Sequence, residues 1–143
     1  MKKLRIAALA LLAVFLIAQV VPAERTNPPV TKDVGAPPEV DAILRASCYD
    51  CHSNETVWPW YAAVAPAKFL VVDHVRVGRS HLNFSEWDGY SAEERRHKLT
   101  ECMEEVATDH MPEGGYLWLH SDAALDDAKK AVLKAWFEAE KAK

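Results

Sequence analysis

The sequence has little of what marks several large classes of protein. No window of four to eight residues alternates cleanly between apolar and polar side chains and no segment repeats, which argues against a β-sheet protein or a repeat protein. Basic residues are outnumbered, with 17 Lys and Arg against 21 Asp and Glu, so a basic stripe for nucleic-acid phosphates is not expected. Only three cysteines occur, and Cys48 and Cys51 lack the second ligand pair that a zinc knuckle requires.

The N-terminal segment differs in character from the rest of the chain. Three basic residues among the first five precede an apolar run from Ile6 to Val21, and no acidic residue occurs before Glu24. This order is typical of an export signal, and we expect cleavage after Ala23. Retention as an N-terminal membrane anchor stays open, although a run of sixteen residues is shorter than the roughly 20 that span a bilayer comfortably. Either way the remainder would be periplasmic or otherwise exported, soluble or tethered to the inner membrane.

The most specific pattern is C-x-x-C-H, formed by Cys48, Cys51 and His52. Proteins attach a c-type haem covalently through this pattern, since the two thiols form thioethers with the haem vinyl groups and the histidine ligates the iron. A dithiol redox pair would expect a βαβ setting, which the surrounding sequence lacks. A plain disulfide leaves His52 unexplained. The pattern therefore predicts one covalently attached haem c with His52 as an axial ligand.

The chain divides into a leader at 1–23, a Pro-rich extended linker at 24–38 and one domain at 39–143. Apolar spacing and cap residues predict an all-α domain of about four helices packed around the haem, like a cytochrome c. Ser91 and Glu94 form a capping box at the start of the third helix, and Gly78 is expected to loosen or end the second. The predicted helices are 38–48, 66–78, 91–108 and 126–143. On the last of them, the residues expected to face inward are Ala128, Val132, Ala135 and Trp136.

The second axial ligand is predicted to be Met111, which lies in a Pro/Gly loop where its thioether can approach the iron. A His/Met pair favours reduced iron and raises the potential. The alternative reading is that Met111 fills the core beneath a loop. His74 is the alternative distal ligand, and an open sixth position is a further one.

Several other residues are candidates for contact with the haem. Aromatic rings can box the flat porphyrin and exclude water, although they can equally form an ordinary core. Arg79 is a candidate partner for a haem propionate through charge-assisted hydrogen bonds, with a solvated helix residue as the alternative. Cys102 lies on an apolar helix face and is expected to be a small buried hydrophobe. The aromatic candidates are Trp58, Trp60, Tyr61 and Tyr116.

These residues occur in an order that resembles the bacterial haem-binding domain family of the single C-x-x-C-H type, over about residues 20–137. The resemblance implies a small exported haem c protein, and it settles neither a substrate nor a partner. The family commonly continues Met-Pro with a second proline, whereas Glu113 follows here. The motifs are Cys48-x-x-Cys51-His52-Ser53-Asn54-x-Thr56, Trp58-Pro59-Trp60-Tyr61, Pro66, His74-Val75-x-x-Gly78-Arg79, Leu82-Asn83-Phe84-Ser85-x-Trp87, Met111-Pro112, Tyr116, Leu119-His120 and Ala124-Leu125.

The leading hypothesis is a monohaem cytochrome c that carries single electrons in the cell envelope. Without residues 1–23 the chain loses three basic and no acidic residues, so its net charge becomes −7. A redox protein with a basic docking patch suits this charge better than nucleic acid does. A peroxidase-like enzyme or a haem-based sensor is the alternative, and each needs an open or displaceable sixth position on the iron.

Overall fold

The structure, a computed structural model, describes residues 1–143 and contains helices but no β-strand. It therefore confirms the predicted all-α class. The only strand-like pairing is an isolated bridge between Lys32 and Glu86. The α-helices are α1 (Lys2–Val20), α2 (Pro38–Ser47), α3 (Tyr49–His52), α4 (Ala67–His81), α5 (Ala92–Ala107), α6 (Gly114–Leu117) and α7 (Asp127–Lys141), and the 3-10 turns are Trp60–Ala63, Trp87–Gly89 and Ser121–Ala123.

The core lies mainly between α5 and α7, with α2 packed against α7. Apolar residues at helical spacing build it, because each helix has one apolar stripe that only a neighbouring helix can cover. Cys102 on α5 packs against this core, as expected for a small hydrophobe, and burial raises the pKa of its thiol to about 12. The largest fully buried apolar side chains are Phe84, Phe137, Leu44, Leu99 and Leu133.

Cap residues fix the helix starts where the sequence predicts them. Pro38 is the first residue of α2, where its missing N–H would have no helical partner in any case. The Ser91 hydroxyl accepts a hydrogen bond from Glu94 N, and the Glu94 carboxylate accepts one from Ser91 N at 2.8 Å. Asp126 caps α7 by accepting a hydrogen bond from Lys129 N at 2.8 Å. These local signals were sufficient for an accurate prediction.

One prediction about glycine was wrong. Gly78 does not end the second helix, because α4 continues through it to His81. Gly114 and Gly115, which follow Met111 and Pro112, do not continue α5 but begin the short helix α6. Glycine weakens a helix by about 1 kcal/mol without forbidding it, and at Gly78 the close packing of α4 on Cys51 outweighs this cost.

The inward face of α7 also differs from the prediction. Ala128 and Ala135 are exposed, whereas Leu133 and Phe137 are buried together with Trp136. The larger side chains gain more by burial than alanine does, and they lie one turn apart on the same face. The face of α7 that packs against the core is therefore the one that carries its bulkiest apolar residues.

The N-terminal helix stands apart from this core. No residue of α1 is buried, and it is the one helix long and apolar enough to cross a membrane. The segment that follows is largely extended and lies along the domain, where the Thr31 and Lys32 amides donate hydrogen bonds to Ser85 O.

Candidate haem-binding site

The C-x-x-C-H residues occupy one short turn of helix that follows α2 directly. Cys48 caps the end of α2, and its carbonyl accepts hydrogen bonds from Cys51 N at 3.2 Å and His52 N at 2.9 Å. Neither thiol forms a disulfide. Burial is the main reason that the pKa is raised, to about 12 for Cys48 and about 11 for Cys51. Both side chains are therefore neutral thiols at physiological pH.

The His52 imidazole is held by one ring nitrogen. Its Nδ1 lies 3.0 Å from Gly78 O and 3.2 Å from Leu82 O. Because carbonyl oxygens only accept hydrogen bonds, Nδ1 carries the proton, and the lone pair is on Nε2, which makes no hydrogen bond within the protein. Burial lowers the pKa of His52, although its hydrogen bonds to Leu82 O and Gly78 O act in the opposite direction. The result is a neutral, oriented imidazole of the kind that ligates metals.

Gly78 allows α4 to reach the haem motif. A Cβ atom at this position would lie 2.6 Å from Cys51 O, closer than real Cβ contacts. The same close approach presents Gly78 O to the His52 ring. A glycine that reads as a helix breaker in the sequence is therefore a packing residue at the site.

A buried network of amides and hydroxyls fixes the segment after His52. Asn83 Nδ2 donates to Asn54 Oδ1 at 2.9 Å, and Ser85 N donates to Asn83 Oδ1 at 3.0 Å. Asn54 N donates in turn to Ser85 Oγ at 3.0 Å, while Phe84 N donates to His52 O at 2.8 Å. Buried polar groups satisfied in this way specify one arrangement of backbone. These residues lie in the motifs of the family resemblance, but their supporting role was not evident from the sequence.

A second set of contacts joins the motif to the C-terminal loops. Tyr116 donates a hydrogen bond to Asp50 Oδ2 at 2.8 Å and stacks on His120 with ring centroids 4.1 Å apart. His120 Nε2 lies 2.7 Å from the Tyr61 hydroxyl. Burial raises the pKa of both tyrosines. Asp50, between the two cysteines, thus connects the predicted aromatic candidates Tyr61 and Tyr116 to the haem motif.

The loop that carries Met111 lies near the motif. Met111 is half-buried, and its N–H donates to Glu105 O at 3.2 Å. The charge of Glu113, two residues later, tends to raise the pKa of both Cys51 and His52. His74 on α4 is exposed, with Nδ1 3.7 Å from Glu113 Oε2. Both candidate distal ligands therefore border this loop.

The remaining predicted residues differ in their surroundings. Trp60 is 79 % exposed, whereas Trp58 is half-buried and donates to Asn27 Oδ1 at 3.2 Å. The Arg79 guanidinium donates hydrogen bonds to four protein oxygens instead of pointing unpaired into solvent. These acceptors are Ser53 O, Thr26 O, Asn27 Oδ1 and Thr56 Oγ1.

The chain belongs to a family of haem-binding domains, because the family model described as "Haem-binding domain" matches residues 13–139. The donor set fits this membership: Cys48 and Cys51 have uncombined thiols, and His52 offers a neutral imidazole nitrogen beside them. The protein is accordingly a haem-binding protein. In the comparisons with curated proteins and with solved structures, nothing matches the chain.

Proposed function

We propose that the protein is a monohaem cytochrome c that carries single electrons in the cell envelope, with His52 and Met111 as axial ligands. The observation that carries this proposal is the anchoring of His52 Nδ1 on the carbonyls of Gly78 and Leu82. It leaves the Nε2 lone pair for iron and fixes the ring orientation. A haem bound here would supply one-electron iron redox chemistry.

Cys48 and Cys51 would hold the haem covalently. Both residues lie on one short helical turn and neither is in a disulfide, so each S–H can add across a haem vinyl group to form a thioether. The covalent bonds would keep the cofactor beside His52 in both oxidation states. A carrier that cycles between states needs this fixed geometry.

Met111 is the distal ligand that the loop geometry supports best. Its loop closes toward the motif, as the influence of Glu113 on Cys51 and His52 and the bond from Tyr116 to Asp50 indicate. The Met111 side chain is half-buried, and its neutral thioether sulfur makes no hydrogen bond within the protein. A His/Met iron would be six-coordinate and would have no position for a substrate, as electron transfer requires.

The acidic surface suits a redox partner with a basic docking patch. If residues 1–23 are removed the net charge is −7, and haem propionates add further negative charge. Opposite potentials on two partners speed their encounter and orient it, mostly without adding affinity. The proposal of such a partner rests on charge alone. Because salt screens the attraction between exposed charges, we expect the rate of electron exchange to fall as the salt concentration is raised.

The decisive experiment compares ferric near-infrared charge-transfer spectra of the wild type, Met111→Ala and His74→Ala. We expect His/Met coordination in the wild type and in His74→Ala, and its loss in Met111→Ala alone. Coordination that is unchanged in Met111→Ala would contradict the ligand assignment. If His74→Ala changes it instead, the iron has two histidine ligands.

Two further measurements separate electron transfer from the alternatives. Rapid carbon monoxide binding by the ferrous wild type, without displacement of a ligand, would favour a sensor. Turnover of peroxide that is lost in His74→Ala would favour a peroxidase-like enzyme. A saturated six-coordinate iron, inert in both assays, is the outcome that the proposal requires.

A further inference from the structure

The end of α1 is attached to the domain by a buried lysine. Lys68, in the first turn of α4, is only 6 % exposed. Its Nζ donates hydrogen bonds to Gln19 O at 2.8 Å and to Val21 O at 2.6 Å. Both acceptors lie in or just beyond the last turn of α1, where carbonyls have no partner within the helix. A cation in this position also complements the negative end of the helix dipole.

Gln19, the single polar residue in the apolar run, makes the second attachment. Its Oε1 accepts a hydrogen bond from Ala65 N at 3.0 Å, and its Nε2 donates to Ala65 O at 3.4 Å. Ala65 is itself buried. We call Gln19, Ala65 and Lys68 the helix clamp. Its hydrogen bonds are the only ones that join α1, none of whose residues is buried, to the domain.

The residues that follow the helix clamp are themselves hydrogen-bonded to the domain. The Thr26 carbonyl and the Asn27 side chain both accept hydrogen bonds from Arg79, and Asn27 Nδ2 donates to Thr56 O at 2.9 Å. The domain therefore begins at the point where α1 ends. A flexible spacer, which would let a tethered domain move freely above a membrane, is absent from this stretch.

Cleavage after Ala23 would remove both acceptors of Lys68, together with the backbone that lies against its ammonium group. The two oxygens that it contacts lie within residues 1–23, and no carboxylate forms an ion pair with it. The two charge-assisted hydrogen bonds of Lys68 therefore exist only in the uncleaved chain. The family model also begins at residue 13, inside α1, so the second half of this helix is part of the matched domain.

The exposed surface of α1 suits a lipid bilayer. The helix has 19 residues, a mean hydropathy of 2.0 and no buried fraction. At about 1.5 Å per residue it extends roughly 28 Å, close to the hydrocarbon thickness of about 30 Å. Basic residues at its start would stay on the cytoplasmic side. Val64 and Leu70, near the clamp in the sequence, add exposed apolar side chains on the domain.

We propose that α1 is retained after export as a transmembrane anchor and that the helix clamp holds the haem-binding domain directly on the outer face of that membrane. The expected cleavage after Ala23 is then replaced by the anchor alternative. The proposal concerns attachment and orientation, and it does not depend on which ligand completes the haem iron.

The first test determines the N-terminus of the full-length chain, expressed in a bacterial host that attaches c-type haem. Membranes are washed with alkaline carbonate, and the haem-bearing protein is extracted in detergent for intact mass measurement. We expect a chain that still contains residues 1–23 and stays with the membrane. A soluble haem protein beginning at Glu24 would overturn the proposal.

The second test measures the clamp in the retained protein. Trypsin can cut after Arg25, which is exposed, but its active site has to engage several residues on each side of the bond. Because Val21, Thr26 and Asn27 are hydrogen-bonded to the domain, cutting requires local opening near the clamp. Lys68→Met and Gln19→Ala should be cut there severalfold faster than the wild type in detergent micelles. Lys134→Met, a matched change at an exposed lysine on α7, should be cut at the wild-type rate. Equal rates in all four proteins would overturn the clamp.

Discussion

The segment that holds His52 and the loop that carries Met111 differ in how their residues are supported. On the His52 side, Asn54, Asn83 and Ser85 are buried and hydrogen-bonded to one another or to the backbone. On the Met111 side, a Cβ at Gly114 or Gly115 would contact nothing within 4 Å. Trp118 and Leu119, which follow, are 88 % and 68 % exposed.

The difference in support matches the different tasks that the proposed haem ligation would give to the two sides. A dense, satisfied network resists displacement, because each broken bond leaves a buried group unpaired. A loop with few buried contacts opens at lower free energy and tolerates changes of position. Under the proposed ligation, we therefore expect the His52 side to fix the position of the haem and the Met111 side to tolerate changes in the second iron ligand. Mutations on the two sides should have correspondingly unequal effects.

The largest effect is expected from Cys48→Ala combined with Cys51→Ala. This double variant removes both thioether bonds, so covalent haem should be lost completely. The measurement is haem staining of the denatured protein after electrophoresis. Cys102→Ala is the control, since that thiol packs against the core outside the motif, and it should retain full staining. Covalent haem in the double variant would show that attachment does not occur on the His52 side.

The same substitution on each side gives the sharpest comparison. Gly78→Ala places a Cβ 2.6 Å from Cys51 O, so the backbone has to shift. We expect the free energy of unfolding to fall by about 3 kcal/mol, the upper range for overpacking. In Gly115→Ala the new methyl group meets no atom, and alanine is the better helix former, so stability should rise by up to about 1 kcal/mol. Urea unfolding measures both, and losses of equal size would contradict the comparison.

Sequence patterns identified the C-x-x-C-H motif as a candidate site but not the contacts that support it. The C-x-x-C-H spacing identifies three residues because their chemistry requires adjacency along the chain. Pro38 and the Ser91/Glu94 box likewise act through near neighbours, so local patterns suffice for them.

Features that depend on distant contacts were missed for a physical reason. Gly78 serves a close approach to Cys51, 27 positions earlier in the chain, and no local pattern encodes that approach. No local pattern marks Lys68, yet it is buried against carbonyls of residues 19 and 21. For Arg79 the sequence suggested a propionate, whereas the fold supplies four protein acceptors.

An intermediate effect is expected from Asn83→Ala on the His52 side. It leaves Asn54 Oδ1 without its donor and Ser85 N without its acceptor, both in buried surroundings. The free energy of unfolding should fall by about 2 kcal/mol, within the range for unsatisfied buried groups. Thr108→Ala is the control, since that hydroxyl is exposed at the end of α5, and its effect should stay within about 0.5 kcal/mol. If Asn83→Ala changes the free energy of unfolding as little as Thr108→Ala does, the network does not stabilise the site.

The smallest effect is expected from Tyr116→Phe, which removes the hydrogen bond that joins the loop to Asp50. At neutral pH the free energy of unfolding should fall by about 1 kcal/mol, since the group is only half-buried. The pKa of Tyr116 is raised above its ordinary value of 10, first by burial and then by the hydrogen bond to Asp50. A raised pKa means that the folded state favours the protonated phenol, so this stabilisation is complete below pH 10 and is lost as the pH rises beyond it. Urea unfolding of both proteins, at neutral pH and again above pH 10, should therefore show their difference shrinking in alkali. A difference that stays constant would mean that Tyr116 contributes by packing alone and that the loop is not held to the haem motif by this bond.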